Sequence, residues 1–148
     1  GASYAYTDVK VPPVANPIAE SPATFGVITN VFTVFTPKNA ASGFADYEMP
    51  VGSGDARLRL HLDANYADAQ FSFQDENVKT DSSFIVNANL ALADITMGSG
   101  TGSVSLWSRN LLDESHIYRI SAANRGTIGD YANFNPPRTF GVELRVKY

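Results

Sequence analysis

Residues 57–66 read "RLRLHLDANY". Leu58, Leu60, Leu62, Ala64 and Tyr66 take every second position, and Arg57, Arg59, His61, Asp63 and Asn65 fill the places between. Successive side chains leave an extended chain on opposite faces, so a period of two held over ten residues predicts a strand. One of its faces is apolar and the other is wet.

The pattern recurs. "TFGVELRVKY" (139–148) sets Phe140, Val142, Leu144, Val146 and Tyr148 against Thr139, Gly141, Glu143, Arg145 and Lys147. "SFIVNANLALAD" (83–94) sets Phe84, Val86, Ala88, Leu90 and Leu92 against Asn87, Asn89 and Ala91. "GSVSLWSRNLL" (102–112) opposes Val104 and Leu106 to Ser105 and Arg109, and "ASYAYTDVKV" (2–11) places Tyr4 and Tyr6 together. "AASGFADYEMP" (40–50) is a weaker sixth strand, whose Ala and Gly content leaves its apolar face undefined.

Two connections are short Gly/Ser turns, "VGSGDA" (51–56) and "MGSGTG" (97–102), the chemistry of hairpins. Three are long: 12–38, 68–82 and 113–137. Their order, long and short by turns, predicts an all-β, antiparallel up-and-down meander of about six strands. The long loops then share one end of the sheet and the tight turns share the other.

Composition narrows the class. A chain of 148 residues has room for one domain, and a net charge of −4 gives no basic footprint for nucleic acid. The absence of cysteine excludes a disulfide framework and thiolate-bound zinc. No run reaches the ~18 apolar residues of a spanning helix. The opening "GASYAYTDVKV" has no basic or apolar leader regions and reads as the middle of a strand, so the chain is expected to be a piece of something longer.

Alternation alone leaves two environments open. In a soluble sandwich the apolar face packs on a second sheet. In a transmembrane barrel it meets lipid, and the polar face lines the lumen. Three features favour the barrel. The clearest strands have the ~9–11 residues a tilted span requires, where soluble strands typically have five or six. Long loops at one end and short turns at the other match outer-membrane barrels. Tyr66, Phe84, Phe140 and Tyr148 lie near the ends of spans, at the positions of interfacial aromatic girdles.

The barrel reading fixes an orientation, because a lipid-facing Arg at the midplane costs roughly 2–4 kcal/mol. Leu58, Leu60, Leu62, Leu90, Leu92, Val142, Leu144 and Val146 are expected to face lipid. Arg57, Arg59, His61, Asp63, Asn65, Asn87, Asn89, Arg109, Glu143, Arg145 and Lys147 are expected to face the lumen.

"SLWSRNLLDE" followed at a distance by "NFNPPRTFGVELRVKY" resembles the last two strands of a TonB-dependent outer-membrane receptor. The match rests on Asn110, Leu111 and Asp113, on Pro137, Arg138, Thr139, Phe140 and Gly141 opening the last strand, and on the terminal Tyr148. Upstream strands are compatible but less diagnostic. The resemblance implies that residues 1–148 are the C-terminal segment of a barrel of about 22 strands, whose plug and earlier strands, with the TonB-contacting part, lie elsewhere. It implies the outer membrane of a Gram-negative bacterium, lipid on one face, and TonB-powered uptake of a siderophore, cobalamin or oligosaccharide. It also implies a last strand that closes the barrel and ends in an interfacial aromatic read by the assembly machinery. About six strands cannot close alone, and each unpaired edge group in lipid costs several kcal/mol.

Little else in the sequence carries chemistry. His61 and His116 are the only histidines, and neither has metal-site spacing. "GSGTGS" lacks the Lys of a phosphate loop, "DENVKTD" lacks the Gly and final Glu of a calcium loop, and no nucleophile motif is present. Asp113 and Glu114 are adjacent and point apart. No enzyme, metal or cofactor is expected. Trp107, on the polar face, suits either packing or ligand stacking. The last long loop holds His116, Tyr118, Arg119, Asn124, Arg125, Asp130, Tyr131 and Asn133, which suit either ligand capture at an outer mouth or loop packing. A soluble all-β carbohydrate- or ligand-binding module is the alternative function.

Overall fold

Glycine-containing turns and strand alternation, broken once by a bulge, produce one large antiparallel sheet. The structure, a computed structural model, describes residues 1–15, 28–122 and 129–148. Its strands are β1 (Ala2–Tyr6), β2 (Val14–Ala15), β3 (Ile28–Thr29), β4 (Asn39–Pro50), β5 (Arg57–Ala67), β6 (Ser83–Met97), β7 (Gly100–Arg109), β8 (Ile117–Ser121), β9 (Tyr131–Phe134) and β10 (Thr139–Lys147). Six of them form the main sheet in the order β1-β4-β5-β6-β7-β10, while β2-β3 and β8-β9 are two-stranded ribbons. The described residues contain no helix. The sheet is open, with β1 and β10 as its two edges.

Both tight turns follow from local chemistry. Between Met97 and Gly100 only Gly98 and Ser99 intervene, and Gly98 takes φ +62°, which a two-residue hairpin requires of its first residue when the turn is of type II′. At the other turn the Val51 amide donates to the Ala56 carbonyl at 2.9 Å, with Gly52 at φ +70°. Antiparallel order then puts these turns at one end and the three long connections at the other.

Register aligns the sheet into rows. Tyr47, Leu60, Leu90, Leu106 and Val142 oppose one another in sequence across five strands, and so do Met49, Leu58, Leu92, Val104 and Leu144. This pairing also settles the facing of residues 40–50. Ala41, Ala45, Tyr47 and Met49 join the leucines, while Ser42, Asp46 and Glu48 join the arginines and His61. Between Leu92 and Ile95 the register shifts at a bulge where Asp94 has φ +56°. The extra residue returns Ile95 to the leucine face and extends β6 beyond the predicted end at residue 94.

Two expectations need adjustment. The first strand ends at Tyr6, with one further bond from the Thr7 amide to the Lys38 carbonyl, well before the predicted residue 11. Pro12 and Pro13 follow, and neither can donate a ladder hydrogen bond. The last long connection is not all irregular, since β8 and β9 pair within it.

Among the described residues no second layer covers the leucine face. Among the described residues Ala93 is the one buried apolar side chain, whereas Phe140 is 74 % exposed and Leu144 73 %. Leu58, Leu60 and Leu62, flanked by strands on both sides, are half-buried by their in-sheet neighbours. The buried polar residues Ser72, Thr80, Asn110, His116 and Ser121 all sit at the long-loop end. There the three connections knit together. The Phe32 and Phe71 rings stack with centroids 4.3 Å apart, the Asp81 amide donates to the Ile117 carbonyl at 3.0 Å, and the Ser121 hydroxyl donates to Glu76 Oε1 at 2.7 Å.

Candidate functional site: the polar face and the long-loop end

The register gathers all eleven predicted polar-face residues on one side of the sheet. Arg59 sits between two carboxylates, its Nε 2.7 Å from Glu48 Oε2 and its Nη2 2.7 Å from Asp94 Oδ2. The second contact exists because the bulge swings Asp94 out of the ladder. His61 Nδ1 lies 2.6 Å from Asp46 Oδ1, and its ring stacks on Phe44, which like Trp107 is an aromatic on this side. Asp63 Oδ1 accepts from Asn87 Nδ2 at 2.8 Å and from Asn65 Nδ2 at 3.1 Å. Arg145 donates to Glu143 at 2.7 Å. Most of these groups are about half exposed, and such pairs contribute about 0–1 kcal/mol each. They define the chemistry of a hydrated face more than they hold the fold.

Trp107 lies on this face opposite Gly141. A Cβ on Gly141 would come within 2.6 Å of the indole Cζ2, so the ring rests against bare backbone. The Arg109 guanidinium is 5.9 Å from the indole centroid. Around the ring opens a concavity of about 380 Å³, lined by His61, Asp63, Asn87, Asn89, Arg109 and Glu143 among others.

At the long-loop end the two parts of the C-terminal motif meet. Asn110 takes the left-handed conformation at φ +51°, which Asn tolerates better than most residues, and is only 4 % exposed. Its Nδ2 donates to the carbonyls of Glu114 (2.8 Å) and Pro136 (3.2 Å), and its Oδ1 accepts from the Glu114 amide at 2.9 Å. Asn135 Nδ2 donates to the same two carbonyls. Asp113 Oδ1 accepts the Arg138 amide at 3.0 Å, and Arg138 reaches back to the Leu111 carbonyl at 3.4 Å. This clasp ties the exit of β7 to the start of β10. Sequence reasoning marked Asn110, Asp113 and Arg138 but missed Glu114 and Asn135, because nothing local shows that residues 114 and 135 converge.

The predicted loop residues divide. Arg119, Asn133 and Tyr131 share one face of the β8–β9 ribbon, with Tyr118 at its bulge and Asp130 leading into β9. The Arg119 guanidinium lies 5.1 Å from the Phe73 ring centroid. His116 is turned inward, its Nδ1 2.7 Å from Glu114 Oε2 and its amide donating to Asn135 Oδ1. It belongs to the packed base of the loop. Asn124 and Arg125 lie outside the described residues.

Aromatics mark the same end. Tyr66 donates to Asp68 Oδ1 at 2.6 Å and Tyr4 to Asn39 Oδ1 at 2.7 Å, each with its ring on the leucine face and its hydroxyl in a polar cluster. The Tyr66 hydroxyl, and next the Asn39 amide, hold the Asp68 carboxyl below the usual carboxylate range. Phe84 opposes Tyr66, while Phe140 lies on β10 and Tyr148 follows it at the turn end.

Among the described residues no three metal-ligating side chains converge, and no helix is long and apolar enough to cross a membrane, which says nothing about strands. No family model, curated protein or solved structure matches this chain.

Proposed function

We propose that residues 1–148 form wall and gating loops of a TonB-dependent receptor barrel in the outer membrane of a Gram-negative bacterium, serving active uptake of a scarce nutrient. One observation carries this reading. Five strands present aligned rows of Leu, Val, Met, Tyr and Phe on a face that no layer of the described residues covers, while the opposite face is ion-paired and wet. In water so broad an apolar surface demands a partner, since monomeric proteins rarely expose patches beyond a few hundred Å². Hydrocarbon provides that partner at no cost in backbone pairing, provided the edges at β1 and β10 continue into further strands.

On this reading the eleven polar-face residues line the aqueous passage. The tyrosine hydroxyls reach the interface as their rings stay in the apolar band. The knitted long loops, with Tyr118, Arg119, Tyr131 and Asn133 exposed, form part of the outer mouth. The segment performs no bond chemistry. Its partners are lipid, the remaining strands and plug, TonB through the N-terminal part, and a small-molecule or oligosaccharide ligand.

The test is fractionation of the full-length protein. Retention in the membrane pellet after alkaline carbonate washing, detergent-dependent extraction and a heat-modifiable gel shift are expected. Recovery in the soluble fraction as a folded monomer would overturn the proposal and favour a soluble binding module.

A further inference from the structure

We infer that the concavity around Trp107 is a binding subsite for a neutral sugar ring. The inference rests on the receptor reading, since it takes the polar face as the wall of an aqueous passage, and it names the ligand class that passage would hold. Trp107 offers an aromatic plane fixed against the Gly141 backbone, so stacking a ligand on it orders little that is not already ordered. Around the plane stand donors without a protein partner among the described residues: the Asn89 amide, the indole Nε1–H and the Arg109 guanidinium, whose one close contact is the indole itself. Acceptors stand beside them, on the carboxylates of Asp63 and Glu143.

A pyranose answers this arrangement. It presents C–H groups to an aromatic face and a rim of hydroxyls, each of which both donates and accepts. Charge excludes other classes. The carboxylates of Asp63 and Glu143 are matched by the guanidiniums of Arg109 and of Arg145, which is bound to Glu143. An anion would meet two carboxylates and a cation would meet Arg109. A volume of about 380 Å³ is within the ordinary range for small-molecule sites.

The experiment titrates the full-length protein, in an amine-oxide detergent without a sugar headgroup, with maltose, cellobiose, lactose, galacturonate and inorganic phosphate. Calorimetry and indole fluorescence are the readouts. At least one neutral disaccharide is expected to bind saturably, and Trp107→Ala is expected to weaken it by about tenfold or more. Asn89→Ala, which removes a half-buried side-chain amide without a protein partner among the described residues, is expected to weaken it several-fold. No saturable signal up to about 50 mM, well past millimolar affinity, overturns the inference. So does tighter binding of galacturonate or phosphate, or neutral-sugar binding indifferent to both substitutions. A membrane-embedded protein that ignores every sugar overturns this inference alone, whereas a soluble protein overturns the receptor reading whatever the titration shows.

Discussion

Replacing Asn110 by Ala removes the centre of the clasp between β7 and β10. Three hydrogen bonds are lost from a side chain that is 4 % exposed. At about 1 kcal/mol net for each, that is about 3 kcal/mol. Ala at φ +51° adds about 1 kcal/mol of left-handed strain, for a total of about 4 kcal/mol. Asn110→Gly avoids that strain and should lose about 3 kcal/mol. The stranded partners are not equally harmed, because Asn135 Nδ2 still serves the Glu114 and Pro136 carbonyls and only the Glu114 amide is orphaned. Combined with Asn135→Ala, however, both carbonyls lose their last side-chain donor, so the double variant should exceed the sum of the singles by about 1 kcal/mol. Equilibrium urea unfolding of the full-length protein, in the medium that holds it folded, measures all four corners. Trp107, on β7 beside the clasp, is the reporter. A loss below about 1 kcal/mol for Asn110→Ala, or a strictly additive cycle, would refute the clasp.

On the receptor reading, Leu60→Arg, in the middle of an apolar row, should destabilise the protein in lipid by about 2–4 kcal/mol, whereas Ser105→Arg on the polar face should change it by under about 1 kcal/mol. Unfolding in lipid vesicles compares the two, and equal effects would contradict the assigned facing. Gly141→Ala should drive the indole off its backbone seat, shift the Trp107 emission and cost about 1–3 kcal/mol. Gly100→Ala should cost more than Gly141→Ala, because its Cβ would collide with the Lys147 carbonyl, which is backbone and cannot swing aside; melting temperatures rank the pair. The Asp68 carboxyl is held below its ordinary range, so its contribution is fully present above the unfolded pKa of about 3.9 and is lost as pH falls through the lower folded value. Stability of Asp68→Asn should therefore fall less than wild type across that acid window, measured by unfolding at a series of pH values.

Alternation was legible residue by residue. Leu58 through Tyr66 and Phe140 through Val146 fall on the face their spacing assigned, since the period of two is a local property of an extended chain. The hairpin at Gly98 was legible for the same reason, as turn chemistry spans only neighbours. Residues 40–50 were not legible, because Ala and Gly carry too little polarity contrast and only pairing with the β5 leucines and arginines assigned a face. Asp94 reads locally as a strand end. It is a bulge because β6 must keep its apolar register against β7, and its carboxylate finds Arg59 from a strand away. His116 looked available and proved buried, since the residues that enclose it, Glu114 and Asn135, meet only after β8 and β9 pair.

From the sequence alone came strands with one greasy and one wet face, tight turns at one end and long connections at the other. Backbone geometry imposes that periodicity before any tertiary contact forms. Only the folded sheet decided which residues share a row, where the ladder breaks, and that Asn110, Glu114, Pro136 and Asn135 close on one another. The rows, and the meeting of Asn110 and Glu114 with Asn135 and Pro136, join residues far apart in the chain, and no short window of sequence contains both sides.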